Sequence, residues 1–162
     1  MTVQEHLKAS FALPDFMMEH YLMDLSDEDL MVRPLPVINH FKWQLGHLVQ
    51  GEHSHMNELK FRRMPELPEG FADLFTKETA KIDDPAFFPS KESLVETMTE
   101  QRKGTLQILD GLSESDLESE TPEAIRYFGP KVGNVFSGEV IHWMLHVGQL
   151  TVLRKYLGKQ TF

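Results

Sequence analysis

Residues 135–158 read VFSGEVIHWMLHVGQLTVLRKYLG, a stretch that predicts a long helix ending at Gly158. At about 100° per residue, one stripe of this helix carries Glu139, His142, His146, Gln149 and Leu153. Apolar residues flank the stripe, with Phe136, Trp143, Val147 and Leu150 on one side and Ile141, Leu145, Val152 and Tyr156 on the other. We therefore expect the two histidines to point into the interior of an all-α fold.

A first helical stretch begins near the start of the chain. Thr2 and Glu5 have the spacing of a capping box, in which each side chain accepts a hydrogen bond from the other residue's backbone. Pro14 lacks a backbone donor and clashes with the preceding turn, so we expect this helix to kink or split near residues 12–13. No part of the chain shows the sustained alternation of apolar and polar residues that is typical of a half-buried strand.

Two more helices lie between these stretches. One runs from about Pro36 or Asn39 to about Phe61, and the other begins after Ser90 and ends at Gly111. The connection between them is rich in proline, glycine and aspartate and is long for a loop, so we expect it to pack through its phenylalanines. Four long helices in this order predict a four-helix bundle with a long crossover between helices 2 and 3.

Length and composition limit the class of protein. The chain has 162 residues, which favours a single domain spanning 1–162. It contains no cysteine, which excludes disulfides, thiolate metal ligands and a cysteine nucleophile. The net charge of −9 argues against nucleic-acid binding, because a phosphate backbone requires a basic surface. Neither a signal peptide nor an apolar run of about 18 residues is visible, so we expect a cytoplasmic protein with no membrane segment.

His142 and His146 lie four residues apart, and this spacing is compatible with two interpretations. They could form a hydrogen-bonded core pair with a polar neighbour on the same stripe, because buried imidazoles need partners. They could also bind a cation through their free lone pairs, in which case a third ligand must come from another helix. On the second helix, the candidate sources of that ligand are His47 and the cluster at residues 52–55.

The cluster at residues 52–55 supports a competing kind of site. Glu52-x-x-His55 and Glu139-x-x-His142 both have the spacing found in di-iron carboxylate bundles. Such bundles need a glutamate from each remaining helix, and the candidates are Glu19, Glu96 and Glu100. The wheel of the second helix places Glu52 inside its apolar arc and His47 well off that arc. The residue pattern alone therefore leaves both sites open.

Three stretches together resemble the DinB-like (YfiT-like) superfamily of small four-helix-bundle proteins. INHFKWQLGHLV (38–49) resembles its W-x-x-GH-L helix, and LSDEDLMVRPLPVIN (25–39) resembles the segment leading into that helix. VGNVFSGEVIHWMLHVGQLTVLRKYLG (132–158) resembles its last helix, with the H-x-x-x-H-x-G-Q pattern, a following arginine and a closing LG. The order of the helices and the crossover also match, so the resemblance spans nearly the whole chain.

The resemblance implies a divalent metal held by three histidines, which by motif are His47, His142 and His146. It also implies a frequent homodimer and a small-molecule substrate. Characterised members include S-transferases and isomerases that use low-molecular-weight thiols, and many members have no known activity.

A metal site with three histidine ligands suggests what reaction the protein could catalyse. Three neutral imidazoles leave positions open, as in catalytic zinc sites, and zinc or nickel suits imidazole ligands. Glu139 and Gln149 are candidates for acid–base catalysis or for orienting a ligand, and Trp43 is a candidate wall of the substrate pocket. We therefore expect a metal-dependent thiol S-transferase or hydrolase. The alternatives are a non-catalytic, metal-binding, stress-associated dimer and a di-iron bundle.

Overall fold

The computed structural model describes residues 1–162, which form an all-α structure. Its seven α-helices are α1 (Val3–Ser10), α2 (Ala12–Leu22), α3 (Asp27–Met31), α4 (Phe41–Glu58), α5 (Lys91–Asp110), α6 (Glu114–Leu117) and α7 (Val132–Tyr156). Short 3₁₀ helices lie at Phe71–Phe75, Thr79–Lys81, Pro85–Phe87 and Glu123–Phe128. The only β-type pairing is an isolated bridge between Glu120 and Lys131. None of the helices combines the length and the apolar composition that crossing a membrane requires.

The first helical stretch is divided into α1 and α2 at Phe11, close to the break that Pro14 predicts. Thr2 Oγ1 accepts the backbone N–H of Glu5 at 3.1 Å, and Glu5 Oε2 accepts the backbone N–H of Thr2 at 2.8 Å. The predicted capping box is thus confirmed. Pro14 lies in the first turn of α2, where a missing backbone donor costs little.

Two clusters of buried apolar side chains form the interior. The larger cluster lies among α2, α4, α7 and the first half of α5, and includes Leu48 and Val147. The smaller one lies among α1, the opposite ends of α4 and α5, and the start of α7, and includes Phe11 and Phe136. The helix α4 packs against both α5 and α7, and α2 packs against α7. Contacts with α5 and with α7 therefore fix the position of α4.

The long connection between α4 and α5 packs onto α4 through three of its aromatic rings. Phe71, Phe75 and Phe88 are buried, which confirms the expectation for this segment. The ring of Phe75 lies against the backbone of Gly46, where an added β-carbon would be 2.1 Å from its nearest ring atom. This glycine therefore allows the connection to approach α4 closely.

The side of α7 that faces the interior differs from the expected one. Trp143, Val147 and Leu150 are buried as predicted. The other flank of the wheel is instead exposed, at 60%, 63%, 43% and 64% for Ile141, Leu145, Val152 and Tyr156. The expectation of a second buried flank was wrong, because the helices that pack on α7 leave this side uncovered. His142 and His146 consequently lie half-buried at the edge of the interior.

We expect Gly46→Ala to destabilise the protein and Gly148→Ala to stabilise it. Alanine gains up to about 1 kcal/mol of helix propensity at either position. At Gly46 the new methyl group would overlap the buried Phe75 ring, and such overpacking typically costs about 1–3 kcal/mol. At Gly148 nothing lies within 4 Å of an added β-carbon. Urea unfolding curves measure both effects, and equal shifts for the two variants would contradict the packing of Phe75 on α4.

Candidate metal centre

Three histidine side chains from two helices meet beside the contact between α4 and α7. One ring nitrogen of His47, on α4, lies within 4.8 Å of one nitrogen each of His142 and His146, on α7. Nitrogens bound to a single zinc ion are each about 2.0–2.1 Å from it, so small side-chain movements would let these three share a cation. No other group of three or more histidine, aspartate or glutamate side chains in the chain has this arrangement. The cluster is compatible with metal binding.

Burial favours the uncharged form of all three rings. Desolvation lowers the pKa of His47 and His142, and it lowers the pKa of His146 to about 3. Neighbouring imidazoles lower the pKa of His47 and His146 further, whereas the charge of Glu139 opposes the shift at His47 and His142. Neutral imidazoles keep a lone pair for a metal, so the donor set fits a cation that prefers nitrogen ligands.

Gln44 orients one of the three rings, a role that the sequence does not predict. Its Nε2 donates to the carbonyl oxygen of Asn39 at 2.5 Å, so its Oε1 must be the atom that lies 2.8 Å from His146 Nδ1. His146 therefore carries its proton on Nδ1 and presents the lone pair of Nε2. Ligands are commonly oriented by such a partner on the second ring nitrogen. Gln44 precedes His47 by three residues, but only the packing of α7 on α4 shows its contact.

Trp43 supports the cluster from the α4 side. Its ring stacks on His47 with centroids 5.0 Å apart and an interplanar angle of 5°. Its Nε1 lies 3.1 Å from both the carbonyl oxygen of Thr76 and Oγ1 of Thr79, which ties the ring to the long connection. Trp43 is not among the residues that line the adjacent cavity, and its role as a wall of the substrate pocket stays a prediction.

A cavity of about 500 Å³ opens beside the histidines. His47 and His142 contribute to its lining, together with His55 and Tyr127. Phe128, Ile141 and Leu145 form its main apolar surface. Imidazoles from the cluster thus share one concave site with a further histidine and a phenol.

The two predicted acid–base candidates have different surroundings. Glu139 is fully buried, and its Oε1 lies 2.5 Å from His55 Nδ1 on α4. The hypothesis that Glu139 orients His142 has no support, because the two side chains form no hydrogen bond and Oε2 of Glu139 has no partner. Gln149 is half-buried and its side chain forms no hydrogen bond within the protein.

The carboxylates proposed for a di-iron site do not assemble. Glu52 is buried, and its Oε1 accepts hydrogen bonds from Arg102 Nη1 at 2.8 Å and from Thr105 Oγ1 at 2.5 Å. Burial raises the pKa of Glu52 to about 7, although Arg102 opposes the shift. The other candidates, Glu19, Glu96 and Glu100, are exposed on the surface. Glu52 therefore has a structural role in an ion pair, and the di-iron alternative lacks its ligand set.

We expect Gln44→Leu to weaken zinc binding by about 10–100-fold, the usual effect of removing a hydrogen-bond partner of a metal ligand. The variant keeps the size of the side chain but leaves His146 Nδ1–H without its acceptor. Calorimetric titration of the metal-free protein with zinc measures the change. Gln149→Leu is the matched control, since that glutamine forms no hydrogen bond. Equal affinities for the two variants would show that Gln44 has no orienting role.

Comparison with protein families matches residues 17–150 to the model of the DinB superfamily. The matched segment contains all three clustered histidines as well as α4, α5 and most of α7. No curated protein and no solved structure matches the chain. Since the family match covers most of the 162 residues, the chain belongs to the DinB superfamily.

Proposed function

We propose that this protein is a divalent-metal-dependent enzyme acting on a small molecule, of the thiol S-transferase or hydrolase type. One observation carries the proposal: three imidazoles whose neutral form is favoured converge from α4 and α7 beside a cavity of about 500 Å³. Membership of the DinB superfamily supports it, because the family resemblance implies a metal held by three histidines, and the family includes enzymes that use low-molecular-weight thiols.

His47, His142 and His146 would hold the cation. Zinc or nickel suits three imidazole ligands, and three protein ligands leave a position open for a substrate. When bound, such a cation lowers the pKa of a thiol or a water molecule at the open position. Gln44 and Trp43 hold two of the rings in place before any ligand arrives, which reduces the reorganisation that binding requires.

The cavity suits a substrate that combines an apolar body with one polar reacting group. Phe128, Ile141 and Leu145 offer apolar contact, while His47 and His142 mark the polar side. Apolar walls displace water from the reacting group, and electrostatic interactions there become stronger than in bulk water. A low-molecular-weight thiol, or an electrophile with an apolar ring, has this character.

We further propose a four-helix bundle in a single domain spanning 1–162. Its long members would be α1 with α2, α4, α5 and α7, and residues 59–90 would form the crossover. The packing of α4 on α5 and α7, and of α2 on α7, supports this arrangement. The net charge of −9 favours a small-molecule partner over nucleic acid, and the absence of cysteine fits a cytoplasmic location.

We infer that two copies associate through the exposed apolar side of α7. This α7 face consists of Ile141, Leu145 and Val152, which are 60%, 63% and 43% exposed. Burying apolar surface between two copies is favourable by about 25 cal/mol per Å². The homodimer implied by the family resemblance supports the same inference. Because Ile141 and Leu145 also line the cavity, the second copy would lie beside the candidate site.

We expect one zinc or nickel ion per chain in the purified protein, and its loss in His142→Ala. Elemental analysis measures the metal. The loaded protein is expected to couple cysteine, or another small thiol, to an activated aryl halide, and His146→Ala should abolish this turnover. His6→Ala is the matched control, since His6 is an exposed histidine on α1.

Two results would redirect this proposal. Two irons per chain would contradict the three-histidine site. A bound metal without turnover of any thiol, electrophile or ester would favour the alternative, a non-catalytic metal-binding, stress-associated dimer.

We expect Val152→Glu to convert a dimer into a monomer. The new carboxylate would have to be desolvated in the interface, which is unfavourable for an unpaired charge. Sedimentation velocity measures the change, and Val37→Glu is the control, because Val37 is 88% exposed and is not part of α7. A wild-type protein that stays monomeric at all concentrations would contradict the inference.

A further inference from the structure

A chain of three hydrogen-bonded side chains borders the same cavity as the histidine cluster. Tyr127 Oη lies 2.7 Å from His55 Nε2, and His55 Nδ1 lies 2.5 Å from Glu139 Oε1. Tyr127 is 71% exposed and belongs to the 3₁₀ helix Glu123–Phe128, whereas Glu139 is fully buried. The three hydrogen-bonded side chains thus lead from an accessible hydroxyl to an inaccessible carboxylate, and they belong to three separate elements of the fold.

The hydrogen bonds have a defined direction when His55 is neutral. The carboxylate of Glu139 can only accept, so His55 Nδ1 must carry the proton that it donates. His55 Nε2 then has a lone pair and accepts from the hydroxyl of Tyr127. The result is the order of groups found in activated nucleophiles and bases: a hydroxyl, an imidazole that can take its proton, and a carboxylate that orients the imidazole.

These three hydrogen-bonded side chains lie next to the histidine cluster. An added β-carbon at Gly51 would be 3.6 Å from His55 Cε1 and 3.9 Å from His142 Cε1, so the two rings flank the same glycine. Tyr127, His55, His47 and His142 all line the cavity. A substrate small enough for the cavity could therefore contact both groups of side chains.

No other histidine outside the cluster is available to the cavity. His53 is bound through both nitrogens, to Gln101 Oε1 and to Asn57 Nδ2. His40 is buried, with its nitrogens at the carbonyl oxygen of Ile82 and the backbone N–H of Trp43. His55 is the one histidine outside the cluster that lines the cavity.

We propose that Tyr127, His55 and Glu139 form the acid–base relay of this site. The proposal rests on the proposed function, since it concerns the proton that a thiol or water substrate must lose. Tyr127 would be the catalytic residue in contact with the substrate. His55 would accept its proton, and Glu139 would be a positioning residue that acts through His55.

The proton transfer balances without any further reactant. The S–H bond of a thiol breaks, and its proton goes to Tyr127 Oη. The O–H bond of Tyr127 breaks in the same step, and that proton goes to the lone pair of His55 Nε2. The sulfur keeps the electron pair as a thiolate beside the histidine cluster, and His55 becomes an imidazolium. The thiolate then forms a carbon–sulfur bond as the carbon–halogen bond of the electrophile breaks, and the halide leaves with that electron pair. His55 returns its proton to Tyr127, and Tyr127 releases one to water.

Glu139 is placed to stabilise the imidazolium that this transfer creates. Its Oε1 accepts from His55, and its Oε2 is buried without any hydrogen-bond partner. A buried carboxylate with so few donors interacts strongly with a positive charge on the one ring that it contacts. The unpartnered oxygen, which would be unfavourable in a purely structural role, is consistent with a charge needed during the reaction.

The test compares Tyr127→Phe with Tyr156→Phe in the metal-loaded protein, using cysteine and an activated aryl halide. Each variant loses one phenolic oxygen from an exposed tyrosine but keeps the aromatic ring. Tyr156 is on the exposed flank of α7, where the retained ring preserves the apolar surface, and it does not line the cavity. In Tyr127→Phe we expect kcat to fall by about 100- to 10,000-fold, the usual contribution of general acid–base catalysis. The KM for the thiol, the metal content and the unfolding midpoint should not change. Tyr156→Phe should match the wild type in all of them.

A second measurement needs neither metal nor turnover. Nitrogen NMR of the histidine side chains in the metal-free protein should show His55 with its proton on Nδ1 and a hydrogen-bonded Nε2. In Tyr127→Phe the Nε2 signal should move towards that of a free lone pair, and in Glu139→Gln the preference for the Nδ1 proton should weaken.

The possible failures are distinguishable. If the wild-type protein shows no turnover with thiols or hydrolysable esters, the proposed function is wrong, and the relay fails with it. Turnover that survives unchanged in Tyr127→Phe would overturn the relay alone. An unchanged His55 Nε2 signal in the same variant would do so too, whatever the kinetic result.

Discussion

The antiparallel register of α4 against α7 is the constraint on which the candidate site depends. Gln44 contacts His146, and further along α4 His55 contacts Glu139, which precedes His146 on α7. His47 meets both α7 histidines between these two contacts. A shift of one helix by a single turn, about 5.4 Å, would break both hydrogen bonds and disperse the cluster. Every proposed chemical role on these helices therefore requires this one alignment.

Apolar packing and one buried ion-pair network maintain the alignment. Trp143 packs in the larger apolar cluster, where the side chains of α4 and α7 exclude water. Arg102 of α5 reaches between the helices, with Nε 2.8 Å from Asp15 and Nη1 2.8 Å from Glu52, and its guanidinium lies over the rings of Phe11 and Trp143. Burying these charges is expensive, and removing one partner would leave the other uncompensated. The network thus links α2, α4, α5 and α7 in a single arrangement.

Glu52 and Glu139 each precede a histidine by three residues, but their different hydrogen-bond partners suit them to different chemical roles. Glu52 accepts from Arg102 and Thr105, so its charge is neutralised within the protein. The side chain of Glu139 forms a hydrogen bond only with His55, and its other oxygen has no hydrogen-bond partner. Burial is the main cause of the raised pKa of Glu52, and the negative charge of Glu139 adds to it. A compensated carboxylate suits a structural role, and a less compensated one suits the stabilisation of a transient cation.

Local sequence determined the helices, the capping box at Thr2, the break before Pro14 and the buried phenylalanines of the long connection, because these depend on neighbours along the chain or on simple burial. Motif resemblance named His47, His142 and His146, and the tertiary structure brought their nitrogens within 4.8 Å. Three hydrogen bonds could not be predicted: those of Gln44 with His146, Glu139 with His55, and Arg102 with Glu52. Each joins residues separated by 50 or more positions. The exposed side of α7 was mispredicted because α7 is apolar on both flanks of its histidine stripe, and periodicity does not say which flank another helix will cover.

The sequence by itself thus determined which segments are helices and which side chains could bind a metal. The tertiary structure alone decided which of them meet, because that depends on how two helices pack rather than on the order of residues within either.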